Sequence, residues 1–124
     1  MAKPGSVVGW TLDKGERGIL LERFPPLYAA TVAHHVTLAT EAERHALPNA
    51  VHAAIVGHSD DGRGVEAMVV TIDGYTARPD GSTFHITWSL GDGRRARESN
   101  DVLKEFGWIA LDQPVPITLT PARM

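Results

Sequence analysis

Hydrophobic and polar positions alternate most cleanly at residues 83–90. Phe84, Ile86, Trp88 and Leu90 fall on one parity, and Thr83, His85, Thr87 and Ser89 on the other. A period of two belongs to a β-strand with one face toward a core. A weaker alternation earlier sets Val32, Val36 and Leu38 against Thr31, Ala33, His35 and Thr37. It predicts a second two-faced strand over about residues 30–38. Residues 7–12 read as a further strand. Residues 50–58 and 65–72 are apolar runs joined by a turn-rich link at 59–64, which is the pattern of a hairpin. Residues 108–111 and 115–120 give two terminal strands.

Two segments break the period of two. Asp13, with Glu16 three residues on, is a capping-box start for a helix carrying Ile19, Leu20, Leu21 and Phe24, and Pro25-Pro26 ends it. Gly15 and Gly18 each weaken that helix by up to about 1 kcal/mol relative to Ala. Ser99 reads as the N-cap of a second short helix with Val102, Leu103 and Phe106 on one side and Gly107 as its stop. Residues 40–45 suggest a short helical turn. Residues 74–82 form a loop turning at Pro79-Asp80-Gly81. With no linker and no low-complexity tract, residues 1–124 read as a single α+β domain, mainly antiparallel sheet with two short helices.

Composition adds limits. Of 124 residues, 43% are hydrophobic and 22% charged, which is globular rather than disordered. The chain has no Cys, which removes disulfides, thiol nucleophiles and thiolate metal sites and fits the cytoplasm. Lys3 has no apolar stretch behind it, and no run approaches the roughly 18 apolar residues of a membrane span, so no membrane association is expected. A net charge of −3 argues against gripping a long nucleic-acid duplex. The basic residues cluster only locally, at Arg94, Arg95 and Arg97, which suits a nucleotide or an RNA end better.

The candidate chemistry lies in the two alternating strands. Each carries the same four-residue pattern: His35-Val36-Thr37-Leu38 and His85-Ile86-Thr87-Trp88. In a strand the His and Thr of each copy share a face. The ordinary reading is two amphipathic strands with solvated polar faces. The chemical reading sets the strands side by side, so that two imidazoles and two hydroxyls surround one small space. Histidine titrates near pH 6.5, so one imidazole can act as base while the other acts as acid. The threonine hydroxyls can donate to phosphoryl oxygens. That set suits hydrolysis of a phosphate ester, with His35 and His85 catalytic and Thr37 and Thr87 binding phosphate. Which histidine is base and which is acid is left open.

Other residues carry two readings each. Ser89 shares the parity of His85 and Thr87, and is either a ligand contact or a surface hydroxyl. Ser99 and Asn100, at a helix start, either receive an anion or simply cap. Arg94, with Arg95 and Arg97, either clamps a phosphate or belongs to a solvated loop. Tyr28 either stacks on a base or packs. His34 falls on the apolar parity with Val32 and Val36, as a buried or edge residue that orients the strand. It should point away from His35, so the two could not chelate one ion. His45, His52 and His58 have no partner pattern. No H-E-x-x-H spacing, G-x-S-x-G elbow or phosphate-cradling glycine loop occurs. Neither a metal nor any other cofactor is expected.

The paired H-x-T-x motifs resemble those of the 2H phosphoesterase superfamily, which includes RNA 2′,3′-cyclic phosphodiesterases and 2′-5′ RNA ligases. The chain is shorter than typical members, and only 50 residues separate His35 from His85. It is most similar to a compact branch associated with bacterial RNA repair, in which a doubled His opens the first motif (here His34-His35) and a Ser-Asn pair follows the second (here Ser99-Asn100). The resemblance implies a pseudo-two-fold domain and a metal-independent activity on a cyclic phosphate or a 2′-linked nucleotide. It gives His35, His85, Thr37 and Thr87 the jobs stated above. Two other classes stay open: a module that binds a nucleotide or RNA end in the same cleft without cleaving it, and a structural protein in which the motifs are coincidental.

Overall fold

The structure, a computed structural model, describes residues 5–40, 42 and 44–124. In chain order it contains β1 (Val8–Leu12), α1 (Lys14–Arg23), β2 (Ala30–Thr31), β3 (His35–Ala39), β4 (Ala53–Asp60), β5 (Val65–Ile72), β6 (His85–Leu90), α2 (Glu98–Phe106), β7 (Ile109–Ile117) and β8 (Leu119–Arg123). Among the described residues the strands form one antiparallel sheet in the order β7-β4-β5-β6-β3-β1-β8, with β2 also paired to β6. β7 and β8 stand at opposite ends of that order, yet only Thr118 separates them in the chain. Two residues span at most about 7 Å. The sheet therefore curls until its edges meet at Ile117 and Leu119.

The concave side holds the main core: Trp10 and Leu12 from β1, Val36 from β3, Ile55, Met68 and Val70 from the central hairpin, and Ile86 and Trp88 from β6. α1 adds Leu20 to this core. Asp13 caps α1 by accepting from Glu16 N at 2.9 Å. Glu16 does not complete the box. Its Oε1 accepts from Thr118 N at 2.8 Å, tying the helix start to the seam between β7 and β8. α2 packs over β4 and β5 and buries Val102 and Leu103. The domain is α+β, with the hairpin of residues 50–72 formed as expected by β4 and β5.

Several sequence expectations are corrected. The strand expected over 30–38 is broken. β2 pairs β6 at Thr31↔Ser89 and β3 pairs it at Val36↔Ile86, so the first chain spends five residues where its partner spends three. Ala33 absorbs the excess with φ of 42°, in the left-handed region. The terminal strands expected over 108–111 and 115–120 are instead β7, which runs through both as far as Ile117, and β8, which begins at Leu119. β7 passes over Asp112-Gln113-Pro114 as a bulge: Ile55 pairs Val115 and Gly57 pairs Ala110. Pro114 and Pro116 are tolerated because β7 pairs only with β4. α2 begins at Glu98 after Arg97, not at a Ser99 cap, and Phe106 is 61% exposed rather than packed. Of the expected turn at 40–45, Glu41 and Glu43 lie outside the described residues.

One close approach fixes the first motif strand. A Cβ on Gly9 would stand 2.1 Å from the Val36 carbonyl oxygen, and backbone cannot step aside as a side chain can. Gly9 pairs with Thr37, so this contact sets how β3 lies on β1. Gly9→Ala is expected to cost about 3 kcal/mol by overpacking. Gly18→Ala, in α1 with nothing within 4 Å, is expected to stabilise by about 0.5–1 kcal/mol. Urea unfolding of the two variants checks both signs.

Candidate functional site

β3 and β6 are neighbours, antiparallel, with Val36 opposite Ile86. Extending that register by one residue each way sets His35 opposite Thr87 and Thr37 opposite His85. Directly opposed Cβ atoms in such a pair lie about 5 Å apart. The local two-fold between the strands carries His35 onto His85 and Thr37 onto Thr87. The 50-residue separation of the motifs is thus the offset that superposes them. Val36 and Ile86 face the core, and both are fully buried. The four polar side chains face the other way, into a cavity of about 420 Å³. On β1 their neighbours are Gly9 and Thr11, and on β5 they are Ala67 and Val69. These flanking residues leave room above the sheet.

The cavity walls come from elsewhere. The N-terminal region of α2 supplies Ala96, Arg97 and Asn100, and the loop before β6 supplies Arg78, Asp80 and Ser82. The motif histidines have different surroundings. His85 is 9% exposed, and its Nδ1 donates to the Thr83 carbonyl at 2.8 Å. His35 is half-buried, and its Nδ1 lies 3.0 Å from Nδ1 of His34. His34 is therefore exposed and turned toward His35, not on the core face as the strand parity predicted. The left-handed turn at Ala33 breaks the alternation just before β3. The expectation that the two rings diverge is corrected. Among the described residues, no three His, Asp, Glu or Cys side chains come together as metal ligands.

Arg78 is the polar residue that sequence reading missed. Its side chain is 8% exposed. Nε donates to Ser82 Oγ at 2.6 Å, Nη2 to Asn100 Oδ1 at 2.6 Å, and Nη1 reaches the Thr37 carbonyl at 3.4 Å. Among the described residues its only carboxylate neighbour is Asp80 at 3.9 Å, itself 69% exposed. A buried cation with so little compensation favours an anion beside it. The sole sequence cue was an Arg opening the turn seven residues before His85.

Electrostatics follow from this arrangement. Burial, then the imidazoles of His34 and His85, push His35 down to about 4. Burial also pushes His85 down; the Thr83 carbonyl opposes this and the Arg78 charge adds to it. At neutral pH both imidazoles in the free cavity are uncharged. The cavity's positive charge therefore sits on buried Arg78 and exposed Arg97 rather than on the motif histidines. Unfolded His35 binds a proton below about pH 6.5, whereas folded His35 does so only near 4. Between those values the unfolded chain holds more protons, so stability falls as pH drops through this window. Denaturation midpoints at pH 7, 5.5 and 4.5 should show this loss, and His35→Gln should flatten it.

The remaining candidates separate. Asn100 lines the cavity and orients Arg78. Ser99 is fully buried, with its hydroxyl 2.9 Å from Thr87 Oγ1. It touches Thr87 and is not among the residues that line the cavity. Three assignments are corrected. Ser89 is fully buried, donating to Glu66 Oε1 at 2.6 Å and accepting from Tyr28 N at 3.2 Å. β5 and the segment after α1 cover it where the cavity ends. Arg94 is held outside the cavity by Asp61 at 3.0 Å and Glu98 at 3.1 Å. Tyr28 also lies outside, its hydroxyl 2.5 Å from Asp60 Oδ1. Among the described residues lining the cavity there is no Phe, Tyr or Trp ring to stack on a base.

Among the described residues no helix is long and apolar enough to cross a membrane. Comparison of the chain with protein-family models, with curated proteins and with solved structures finds no match.

Proposed function

We propose that this cavity is the active site of a metal-independent phosphoesterase of the 2H type. Its substrate is a cyclic phosphodiester, either a 2′,3′-cyclic RNA end or a small cyclic nucleotide, met in the cytoplasm. His35 and His85 serve as general acid and base, and Thr37 and Thr87 bind phosphoryl oxygens. The observation that carries this reading is the register of β3 on β6, which sets each motif histidine opposite the other motif's threonine. Arg78 adds a buried positive charge at the same cavity, where developing negative charge on a phosphoryl group gains most from fixed donors. Thr87 Oγ1 donates to the Ala96 carbonyl at 3.3 Å and can accept from the Ser99 hydroxyl at 2.9 Å, so a phosphoryl oxygen would take that proton in place of the carbonyl.

A second reading is a module that holds a nucleotide or RNA end without cleaving it. One observation favours it: both imidazoles are neutral in the free cavity, so no charged acid stands ready. Turnover separates the two. A panel of 2′,3′-cyclic nucleotides, 3′,5′-cyclic nucleotides and cyclic-phosphate-ended oligonucleotides is incubated with the protein in EDTA. Product release identifies the enzyme and its preferred ester. A rise in melting temperature without product identifies the binding module. Neither response, from folded protein, rejects both.

A further inference from the structure

Of the three arginines that cluster after β6, Arg94 is engaged and the other two are not. Arg94 is paired with Asp61 and Glu98. The side chains of Arg95 and Arg97 are exposed, and among the described residues neither guanidinium has an ion pair or a hydrogen bond. Arg97 and Asn100 line the motif cavity. The same two residues, with Gly93 and Arg95, line a second cavity of about 580 Å³. The two cavities thus adjoin at Arg97 and Asn100. A path from the motif cavity into the second one is lined in turn by the guanidinium groups of Arg78, Arg97 and Arg95.

Three carboxylates face this path, and each shapes it differently. Asp80 lines the motif cavity on the side of the loop before β6, where its Oδ1 lies 3.9 Å from Arg78 Nε and accepts from Ser82 N at 2.9 Å. Its charge makes the loop side a poor exit for an anionic chain. On the α2 side Glu98 is already engaged. One of its oxygens accepts from Arg94 Nε at 3.1 Å and the other from Arg95 N at 2.6 Å. Asp101 is exposed on the wall of the second cavity and has no ion pair among the described residues. Two unpaired cations against one unpaired carboxylate leave charge for one phosphate and not for a run of them. The helix end is not the source of this charge. The amides of Glu98, Ser99 and Asn100 donate to the carbonyls of Arg95, Ala96 and Arg97.

We propose that Arg97 and Arg95 form a second anion subsite for the internucleotide phosphate next to the cyclic one, so that a chain end is recognised by that phosphate and not by its base. This rests on the phosphoesterase reading and selects, of its two esters, the nucleic-acid end. The backbone sets the two subsites side by side. Thr87 Oγ1 donates to the Ala96 carbonyl at 3.3 Å, so the residue before Arg97 touches a threonine assigned to the cyclic phosphate. A guanidinium presents paired N–H groups that match phosphate oxygens. Among the described residues neither cavity is lined by Phe, Tyr or Trp, so neither offers the stacking platform by which single strands are usually held through their bases.

The test compares adenosine 2′,3′-cyclic phosphate with the dinucleotide and trinucleotide of adenosine that end in the same cyclic phosphate, all in EDTA. Wild-type KM for the dinucleotide is expected to be about 10-fold below that for the mononucleotide. The trinucleotide should gain no more than about 2-fold beyond the dinucleotide, and a change of base should move KM by only a few-fold. Added salt should raise log KM against log salt more steeply for the dinucleotide, by about 0.7 in slope for its one extra phosphate. In the double variant Arg95→Ala/Arg97→Ala the KM ratio should fall to about 1 and the two salt slopes should coincide. Arg97→Lys, which keeps the charge, should retain part of the ratio. The ratio is taken within each protein, so any effect on the cyclic phosphate itself cancels. Both side chains are exposed, so the variants should fold, as melting curves will show. An active wild type with a ratio near 1 overturns the subsite alone, and so does a ratio that survives in the double variant. A wild type inactive on all three esters removes the phosphoesterase reading and the subsite with it.

Discussion

His85→Ala is expected to lower turnover of a cyclic phosphodiester by about 10²–10⁴-fold, and His35→Ala by a similar factor, the usual worth of a positioned proton donor or acceptor. KM should change little. On the proposed reading Thr37, Thr87 and Arg78 hold the phosphate, and these remain in both variants. If the two histidines act in a single step, as proposed, the double variant should be scarcely slower than either single one. Steady-state kinetics on the three variants in EDTA reads all of this. Independent, multiplicative losses would mean that the two imidazoles do not serve one reaction. Neither substitution should unfold the protein at pH 7. Both imidazoles are neutral there, and no buried ion is left without its partner.

The largest effect on stability is expected at Glu66, far from any reacting atom. This carboxylate is 2% exposed. It accepts from Leu27 N at 3.0 Å and Ser89 Oγ at 2.6 Å, and its other oxygen lies 2.8 Å from His58 Nε2. It thus joins β4, β5, β6 and the segment after α1. Glu66→Ala strands an N–H, a hydroxyl and an imidazole together, and should cost about 3–5 kcal/mol. Glu66→Gln offers an acceptor and a donor of the same shape and should cost about 1 kcal/mol. The hydrogen bond from Glu66 raises the pKa of His58 against the opposing effect of burial. Stability from this pair is full below about pH 6.5 and is lost as pH rises through the higher folded value. Unfolding midpoints between pH 6 and 9 should fall for the wild type and stay flatter for Glu66→Gln. Its sign is opposite to that of His35, so stability is greatest between the two windows.

The sequence revealed those parts of this molecule whose cause is local. Residues 83–90 alternate without exception, and β6 forms there with His85 and Thr87 on one face. Asp13 caps α1 because a short side-chain acceptor three residues before an N–H is a local arrangement. The matched motifs suggested one shared space, and the pairing of Val36 with Ile86 supplies it.

Failures of the sequence reading have distant causes. Parity cannot see that Ala33 turns left-handed, and this turn brings His34 beside His35. Ser89 has the parity of His85 and Thr87, but Glu66, across the sheet on β5, engages its hydroxyl. Arg94 looked like a phosphate clamp, yet Asp61, on the link after β4, holds it. Arg78 sits in an unremarkable turn and becomes the cavity's buried cation only because Asn100 of α2 and the Thr37 carbonyl of β3 receive its guanidinium.

The central claim is that the two motifs share one phosphate-binding cavity. Imidazole NMR tests it most directly, by titrating the protein in EDTA with a nucleoside 2′-monophosphate, a product-like ligand that cannot turn over. The expected result is that the ring signals of His35 and His85 shift together along one saturation curve, while His45 and His52 stay fixed. Saturable binding that moves only one of the two rings, or neither, would contradict the claim.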